Sequence, residues 1–299
     1  MDTARVFKSA FSLFGQVAPQ TMAGVAQRLF TIPKRIPAPP RERPFRDDAD
    51  RSTINTPVGD VAVFTWSAAQ LPWETNGAPR GTVLLLHGWQ GRGSQLCAFV
   101  DPLLARGFRV VAFDGPAHGD SPGHTADALV FSIALRAVAE VLGDVRAVIA
   151  HSMGGAAANV AVGDGLDVEA VVLLAPPLSA ETVTEDFADA LQLTSRTRRV
   201  LRRRLRLRFH TYAWQRLGPV PMVASRHEKV AALIVHDEDD EEVPFVRGEA
   251  LAATWPGALL HITSGLGHRK ILREPTVVGV VVDFLDGTVG EAAVGGAVS

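Results

Sequence analysis

Val148-Ile149-Ala150-His151-Ser152-Met153-Gly154-Gly155 is the stretch on which the reading of this chain turns. A short apolar run enters a serine, and small residues leave it. Such a run, bounded by turn signals, reads as a strand covered on both faces, and Ser152 to about Val162 reads as a helix. A serine at a tight strand–turn–helix corner has its hydroxyl lifted clear of the sheet and its backbone held in strained angles. The residues two before and two after it must then be small. Gly154 meets the downstream demand, and Ala150 stands upstream where glycine is usual, one methyl larger. The plainer alternative is a serine that N-caps the helix of an ordinary αβ unit.

The pattern repeats on either side. Thr82–His87, Phe108–Phe113, Asp144–Ala150, Val168–Ala175 and Val230–His236 are short apolar strands. Helices are expected over Ser94–Arg106, Ala126–Leu142 and Glu274–Leu285, with a further strand at Leu259–Thr263. A hairpin is expected around Pro57-Val58-Gly59-Asp60. This alternation predicts an α/β fold with a mostly parallel central sheet of about eight strands and helices on both faces. After Pro176-Pro177 it stops for some fifty residues. The expected organisation is an N-terminal helical extension and Pro-rich linker (1–50), a core in two pieces (51–177 and 229–290), an inserted helical cap (178–228) and a flexible tail (291–299).

Composition narrows the function. The chain has 299 residues, 47% hydrophobic and 21% charged, with 30 Lys+Arg against 32 Asp+Glu and one cysteine. Apolar content is too high for a disordered chain, and a net charge of −2 gives no global field to hold nucleic acid. Cys97 alone allows no internal disulfide and no cysteine metal cluster; it is expected as buried filler on the helix after the first central strand. Asp2, Arg5 and Lys8 precede an apolar run that Gly15-Gln16 soon interrupts, so neither a secretory signal nor a membrane span is expected, and the cytoplasm is the expected compartment. Phe7, Phe11 and Phe14 recur at helical spacing, as on an amphipathic helix packing on the domain. The arginine-dense run Arg196–Arg208 reads as a solvated helix face paired partly with Glu181–Asp189, rather than as a nucleic-acid site. Residues 1–50 are open to three uses: strapping the sheet edge, covering a pocket, or making a homodimer contact.

A serine hydroxyl needs a base. Among nine histidines, His87 and His118 lie in Gly-rich turns suited to shaping backbone, and His151 is expected to leave the corner in another direction than Ser152. His268, in Ser264-Gly265-Leu266-Gly267-His268 after the last strand, can fold back over the carboxyl edge of the sheet. The imidazole needs an acid, and Asp237 to Glu242 offers six carboxylates. A calcium loop would need alternating ligands and a glycine turn, which are missing, so no metal is implied. Gly88 in His87-Gly88-Trp89 permits a sharp turn, so the amides of Trp89 and Met153 can face a developing oxyanion.

Together His87-Gly88-Trp89, Asp114-Gly115-Pro116-Ala117-His118-Gly119-Asp120-Ser121, Ala150 to Gly155, Asp237 to Pro244 and Gly267-His268 resemble the α/β-hydrolase superfamily over about Ser52–Gly287, in the order Ser…Asp…His. The resemblance implies Ser152 as nucleophile, His268 as base and, by the strand-end pattern G-x-x-D-x-x-V-P with Asp237 in place of the glycine, Asp240 as the acid ahead of Asp239 or Asp237. It also places a helical cap at 178–228, where Phe209, Tyr212 and Trp214 are expected to face substrate. A serine at the corner argues against the aspartate-nucleophile relatives. The expected activity is a cofactor-free serine hydrolase acting on a small-molecule carboxylic ester, without nucleic acid or stable membrane insertion. Thioester hydrolysis, acyl transfer or C–C bond hydrolysis by the same residues is the nearest alternative, and a non-catalytic ligand-binding protein the more distant one.

Overall fold

The structure, a computed structural model, describes residue 11 and residues 13–67, 80–218 and 224–290, without the side chains of 209–215. Its centre is an eight-stranded sheet: β1 (Asp50–Thr56), β2 (Gly59–Trp66), β3 (Thr82–Leu86), β4 (Arg109–Phe113), β5 (Val145–His151), β6 (Ala170–Leu174), β7 (Ala231–Asp237) and β8 (Leu259–Thr263). The spatial order is β1-β2-β4-β3-β5-β6-β7-β8. β1–β2 and β2–β4 pair antiparallel; every other neighbour is parallel. β3 and β6 are buried at every residue, which is why they read as unbroken apolar runs, while β8 at the edge is largely open.

The core lies on both faces of the sheet. One layer joins Leu84, Leu86, Val148 and Phe131 to Trp255; the other joins Leu85, Ile149, Phe99 and Phe108 to Val281 and Leu285. The helices that cover them, in chain order, are α1 (Pro19–Thr31), α2 (Arg43–Asp48), α3 (Val100–Ala105), α4 (Ala128–Leu142), α5 (Met153–Gly163), α6 (Ala180–Ala190), α7 (Ser195–Arg216), α8 (Ala224–His227), α9 (Val246–Thr254), α10 (Gly267–Lys270) and α11 (Pro275–Thr288). Local chemistry sets two of the starts. Asp127 caps α4 by accepting from the amides of Leu129 (3.0 Å) and Val130 (2.9 Å), and Ser179 with Thr182 forms a capping box on α6. The helix expected over Ser94–Arg106 is instead a 3₁₀ segment, Gly93–Phe99, kinked at Leu96 within it, followed by α3.

The N-terminal segment is integral to the molecule. α1 packs on α6 and α7, so that Phe11, Ala23 and Ala26 share a third core with Ala188, Leu193, Leu201 and Leu205. The phenylalanine spacing does not define one buried stripe: Phe11 is buried, Phe14 is exposed, and Phe7 lies outside the described residues. α7 meets α6 through three rungs of ion pairs, Arg198–Asp189 (2.5 Å), Arg202–Glu185 (2.7 Å) and Arg206–Glu181, each residue four positions from the next.

The proline-rich linker runs without helix or strand to a 3₁₀ turn at Pro40–Glu42 and then α2, so it is less extended than its prolines suggest. Arg35 donates to the carbonyls of Gly119, Ser121 (2.7 Å) and Gly123 (3.3 Å). Glu42, 1% exposed, takes two hydrogen bonds from Arg92 at 2.6 Å and one from the Ser94 hydroxyl at 2.9 Å. Truncating one member of a buried bidentate pair strands the other charge away from water. Glu42→Ala is therefore expected to lower unfolding free energy by about 3–5 kcal/mol, read as a lower urea midpoint with unchanged slope.

Candidate active site

Ser152 sits at the junction of β5 and α5 with φ 52° and ψ −121°, a region a serine visits only when its surroundings force it. Two close approaches show what does the forcing. A Cβ at Gly154 would lie 2.5 Å from the His87 carbonyl oxygen, and one at Gly88 would lie 2.8 Å from the Ser152 Cβ. The turn after β3 is thus pressed against the corner after β5, and the register Leu86↔Ala150 aligns the two strand ends. Ala150 is fully buried and its methyl is accommodated. Trp89 and Met153 follow these two turns directly and line a common cavity with Ser152.

His268 and Asp240 meet as the chain order predicts. Nδ1 of His268 lies 2.7 Å from Oδ2 of Asp240, and both residues are nearly closed to solvent. Oδ1 of Asp240 accepts from the amides of Glu242 and Val243, each at 2.8 Å, so the carboxylate cannot swing. Burial opposes its charge, but hydrogen bonds from His236 and His268, the His268 charge and the Val243 amide outweigh that and hold the carboxyl far below the ordinary range. The neighbouring acids have other tasks. Asp237 accepts from the Thr263 hydroxyl (2.7 Å) and from the amides of Gly267 (2.9 Å) and Leu266 (3.1 Å), and Asp239 accepts from the Gly265 amide (2.8 Å). These two acids shape the loop that presents His268; Asp240 alone faces its ring.

The remaining histidines divide clearly. His87 accepts the Gly115 amide at Nε2 (2.9 Å) and engages the Gly88 carbonyl at Nδ1 (2.7 Å), which assigns the proton to Nδ1. His118 sits edge-on to Trp89 at 5.3 Å and to Phe131 at 5.1 Å. Asp114, fully buried, accepts from the amides of Gly93 (2.6 Å) and Asp120 (2.7 Å), bracing the loop that carries His118. His151 does not turn away from the site, as the sequence suggested. Its Nε2 donates to the His268 carbonyl at 3.0 Å and its ring lies 4.7 Å from the His268 ring, because the strained corner throws residue 151 under the histidine loop. Sequence reasoning also passed over His236, whose Nε2 donates to the Val243 carbonyl (2.9 Å) and lies 3.4 Å from Asp240 Oδ2. The strand-end position before an acidic run was the only signal for it.

Ser152 opens onto an apolar cavity walled by Leu29 and Phe30 of α1, Val183 and Phe187 of α6, and Leu178. Phe30 and Phe187 meet edge to face at 5.1 Å. Of the three uses open to the N-terminal segment, covering the pocket is the one these contacts display. The polar residues in that wall are tied to structure: Asp127 and Ser179 cap helices, and Asn159 is paired with His227 at 2.9 Å. Phe209, Tyr212 and Trp214, expected at the substrate, have side chains outside the described residues. Cys97 is not remote filler; it lies in the 3₁₀ segment, half-buried, lining a second cavity that also contains Ser152, and burial pushes its thiol up to about 11. Among the described residues no cluster suited to a metal ion occurs, and no helix is long and apolar enough to cross a membrane.

This sheet order, with a strained serine between β5 and α5 and an Asp–His pair after β7 and β8, defines an α/β hydrolase. Residues 77–265, well over half of the chain, match the family model Hydrolase_4, described as serine aminopeptidase, S33, and the chain belongs to that family. Among solved structures, an esterase from Pyrococcus furiosus is similar at 17% identity and a TM-score of 0.61, over 86% of this chain and all of that one. A bacterial membrane phospholipase A described as a virulence factor is similar at 17% identity and a TM-score of 0.58, over 93% and 94% of the two chains. A predicted hydrolase from Thermoplasma acidophilum is similar at 17% identity and a TM-score of 0.54, over 80% and 99%.

Burial holds the His118 ring at about 4, and holds His87 and His151 well below the ordinary 6.5. Above pH 6.5 neither the folded nor the unfolded form protonates these rings. As pH falls toward 4 the unfolded chain takes protons that the folded one refuses, so stability is lost in that window. Thermal melts between pH 7 and pH 4 are expected to show this decline, and His118→Asn is expected to flatten it by about one proton.

Proposed function

We propose that the protein is a serine hydrolase that cleaves a carboxylic ester through an acyl-enzyme on Ser152. The observation that carries this reading is the 2.7 Å bond between His268 Nδ1 and Asp240 Oδ2, in a pair whose histidine shares a cavity with the strained Ser152. Asp240 fixes the tautomer and leaves Nε2 for the serine hydroxyl. As Ser152 Oγ attacks the acyl carbon, its proton passes to Nε2, and the charge gathering on the carbonyl oxygen is met by the amides of Trp89 and Met153. Donors placed in this way contribute about 3 kcal/mol each to the transition state. The proton then goes to the leaving oxygen, and water releases the acyl group by the same route. The helices between β6 and β7 act as the cap, and α1 completes the acyl pocket.

The family's description includes aminopeptidase action, which calls for a carboxylate to hold a free α-ammonium. The acids that line the two cavities around Ser152 are Asp127, Glu42 and Glu242. Asp127 caps α4, Glu42 is bound by Arg92, and Glu242 takes Arg269 at 2.8 Å. An uncharged acyl chain fits this environment better, and the similar esterase and phospholipase folds agree with it.

A fluorophosphonate is expected to label Ser152, and Ser152→Ala to lower turnover of p-nitrophenyl butyrate by about 10⁴-fold or more. Asp240→Asn should cost about 10²–10⁴-fold in kcat with a smaller change in KM. Turnover by Ser152→Ala at the native rate would overturn the assignment. Phe30→Trp is expected to shift kcat/KM from octanoyl toward acetyl esters by roughly tenfold, because the larger ring shortens the acyl pocket.

A further inference from the structure

Ser152 borders two cavities of opposite chemistry. The apolar one, described above, runs under α1 and α6. The other is bordered by the linker and by the start of the last helical stretch, and its wall holds Arg41, Arg92, Arg269 and Arg273 beside Ser152 and His268. Two carboxylates stand among these four guanidinium groups, and both are committed. Glu42 is taken by Arg92, with two bonds at 2.6 Å. Glu242 is taken by Arg269, at 2.8 and 3.1 Å. Arg41 approaches Glu42 no closer than 3.8 Å with 60% of its side chain exposed. Arg273 donates to the Arg269 carbonyl at 3.2 Å and meets no carboxylate among the described residues. Among the described residues the recess therefore carries an excess of two positive charges in the cavity that Ser152 lines.

Which cavity takes which half of the substrate follows from His268, which lines the basic cavity and not the apolar one. A general acid returns its proton to the atom that leaves, so the leaving group departs on the side where that acid stands. The acyl chain then occupies the apolar cavity under Phe30 and Phe187. We infer that the leaving group bears an oxyanion, a phosphate or a carboxylate, which Arg41 and Arg273 hold with help from Arg269. The substrate is thus an ester with an apolar acyl half and an anionic alcohol half. The acyl carbon–Ser152 Oγ bond forms as the bond to the leaving oxygen breaks, and that oxygen takes the serine proton by way of His268. This assignment rests on Ser152 as the nucleophile.

Two matched pairs test it: 1-octanoylglycerol against 1-octanoylglycerol 3-phosphate, and 2-nitrophenyl octanoate against 4-nitro-3-octanoyloxybenzoate, all below their micelle thresholds. The anionic member of a pair is expected to show about tenfold higher kcat/KM at low ionic strength, falling toward equality in 0.5 M NaCl as salt screens the partly exposed arginines. Preference in the glycerol pair alone identifies phosphate, in the nitrophenyl pair alone carboxylate, and in both a general oxyanion site. Arg273→Gln and Arg41→Gln should each reduce the ratio severalfold with the melting temperature kept, whereas Arg199→Gln, exposed on α7, should leave it unchanged. Ser152-dependent hydrolysis with a ratio of one or less in both pairs overturns the anionic site and leaves the esterase reading standing, as does a preference that neither arginine substitution alters. Hydrolysis that survives Ser152→Ala, or no hydrolysis of any of the four, overturns the catalytic reading itself and this inference with it.

Discussion

The backbone of Ser152 is the constraint on which the rest of the site depends. Its φ of 52° costs on the order of 1–3 kcal/mol and persists because the neighbouring structure allows no relaxation. β5 pairs with buried β3 on one side and buried β6 on the other, and the turn after β3 lies directly against the serine. The same crowding aims several groups at once. It presses the turns after β3 and β5 together, pushes His151 beneath the histidine loop, and turns the serine side chain toward the two cavities. A relaxed serine at the head of α5 would cap its helix and face none of them.

Beside that corner one acid is held charged while three histidines are held neutral. Asp240 is kept ionised by amides and imidazoles, while His87, His118 and His151, all within the same region, are kept neutral by burial. A charged imidazolium at any of these three places would compete with His268 for Asp240. The carbonyl that His268 offers to His151 uses this neutral ring as a brace.

What could be read in the chain, and what could not, follows from how far each feature reaches along it. The corner at Ser152 is a local demand on four or five consecutive residues, so its small residues announce it. The meeting of Asp240 with His268 was legible from the family resemblance rather than from the residues alone, which offered six carboxylates, and it follows from the carboxyl ends of β7 and β8 lying side by side. The pocket wall was not. Leu29 and Phe30 lie more than a hundred residues before the serine they enclose, and nothing in their own periodicity names that partner. The brace by His151 escaped for a related reason: strand alternation fixes which face a residue takes only until the strand ends, and residue 151 stands where it does. The kinked 3₁₀ geometry at Gly93–Phe99 goes with hydrogen bonds from that loop to Asp114 and Glu42, which lie outside any local window.

The packing of α1 against α7 has a consequence for how the molecule is made. Arg204 reaches back to Gln27 across 177 residues of chain, and the apolar face of α1 finds Leu201 and Leu205 only after the whole of β1 to β6 has been synthesised. At roughly 5–20 residues per second, α1 waits on the order of ten to forty seconds after its own synthesis for its partner. During that interval Ala23, Ala26 and Phe11 have no partner from α7, and the apolar cavity beside Ser152 has no roof. The cavity beside Ser152 is thus closed only when two segments far apart in the order of synthesis have met.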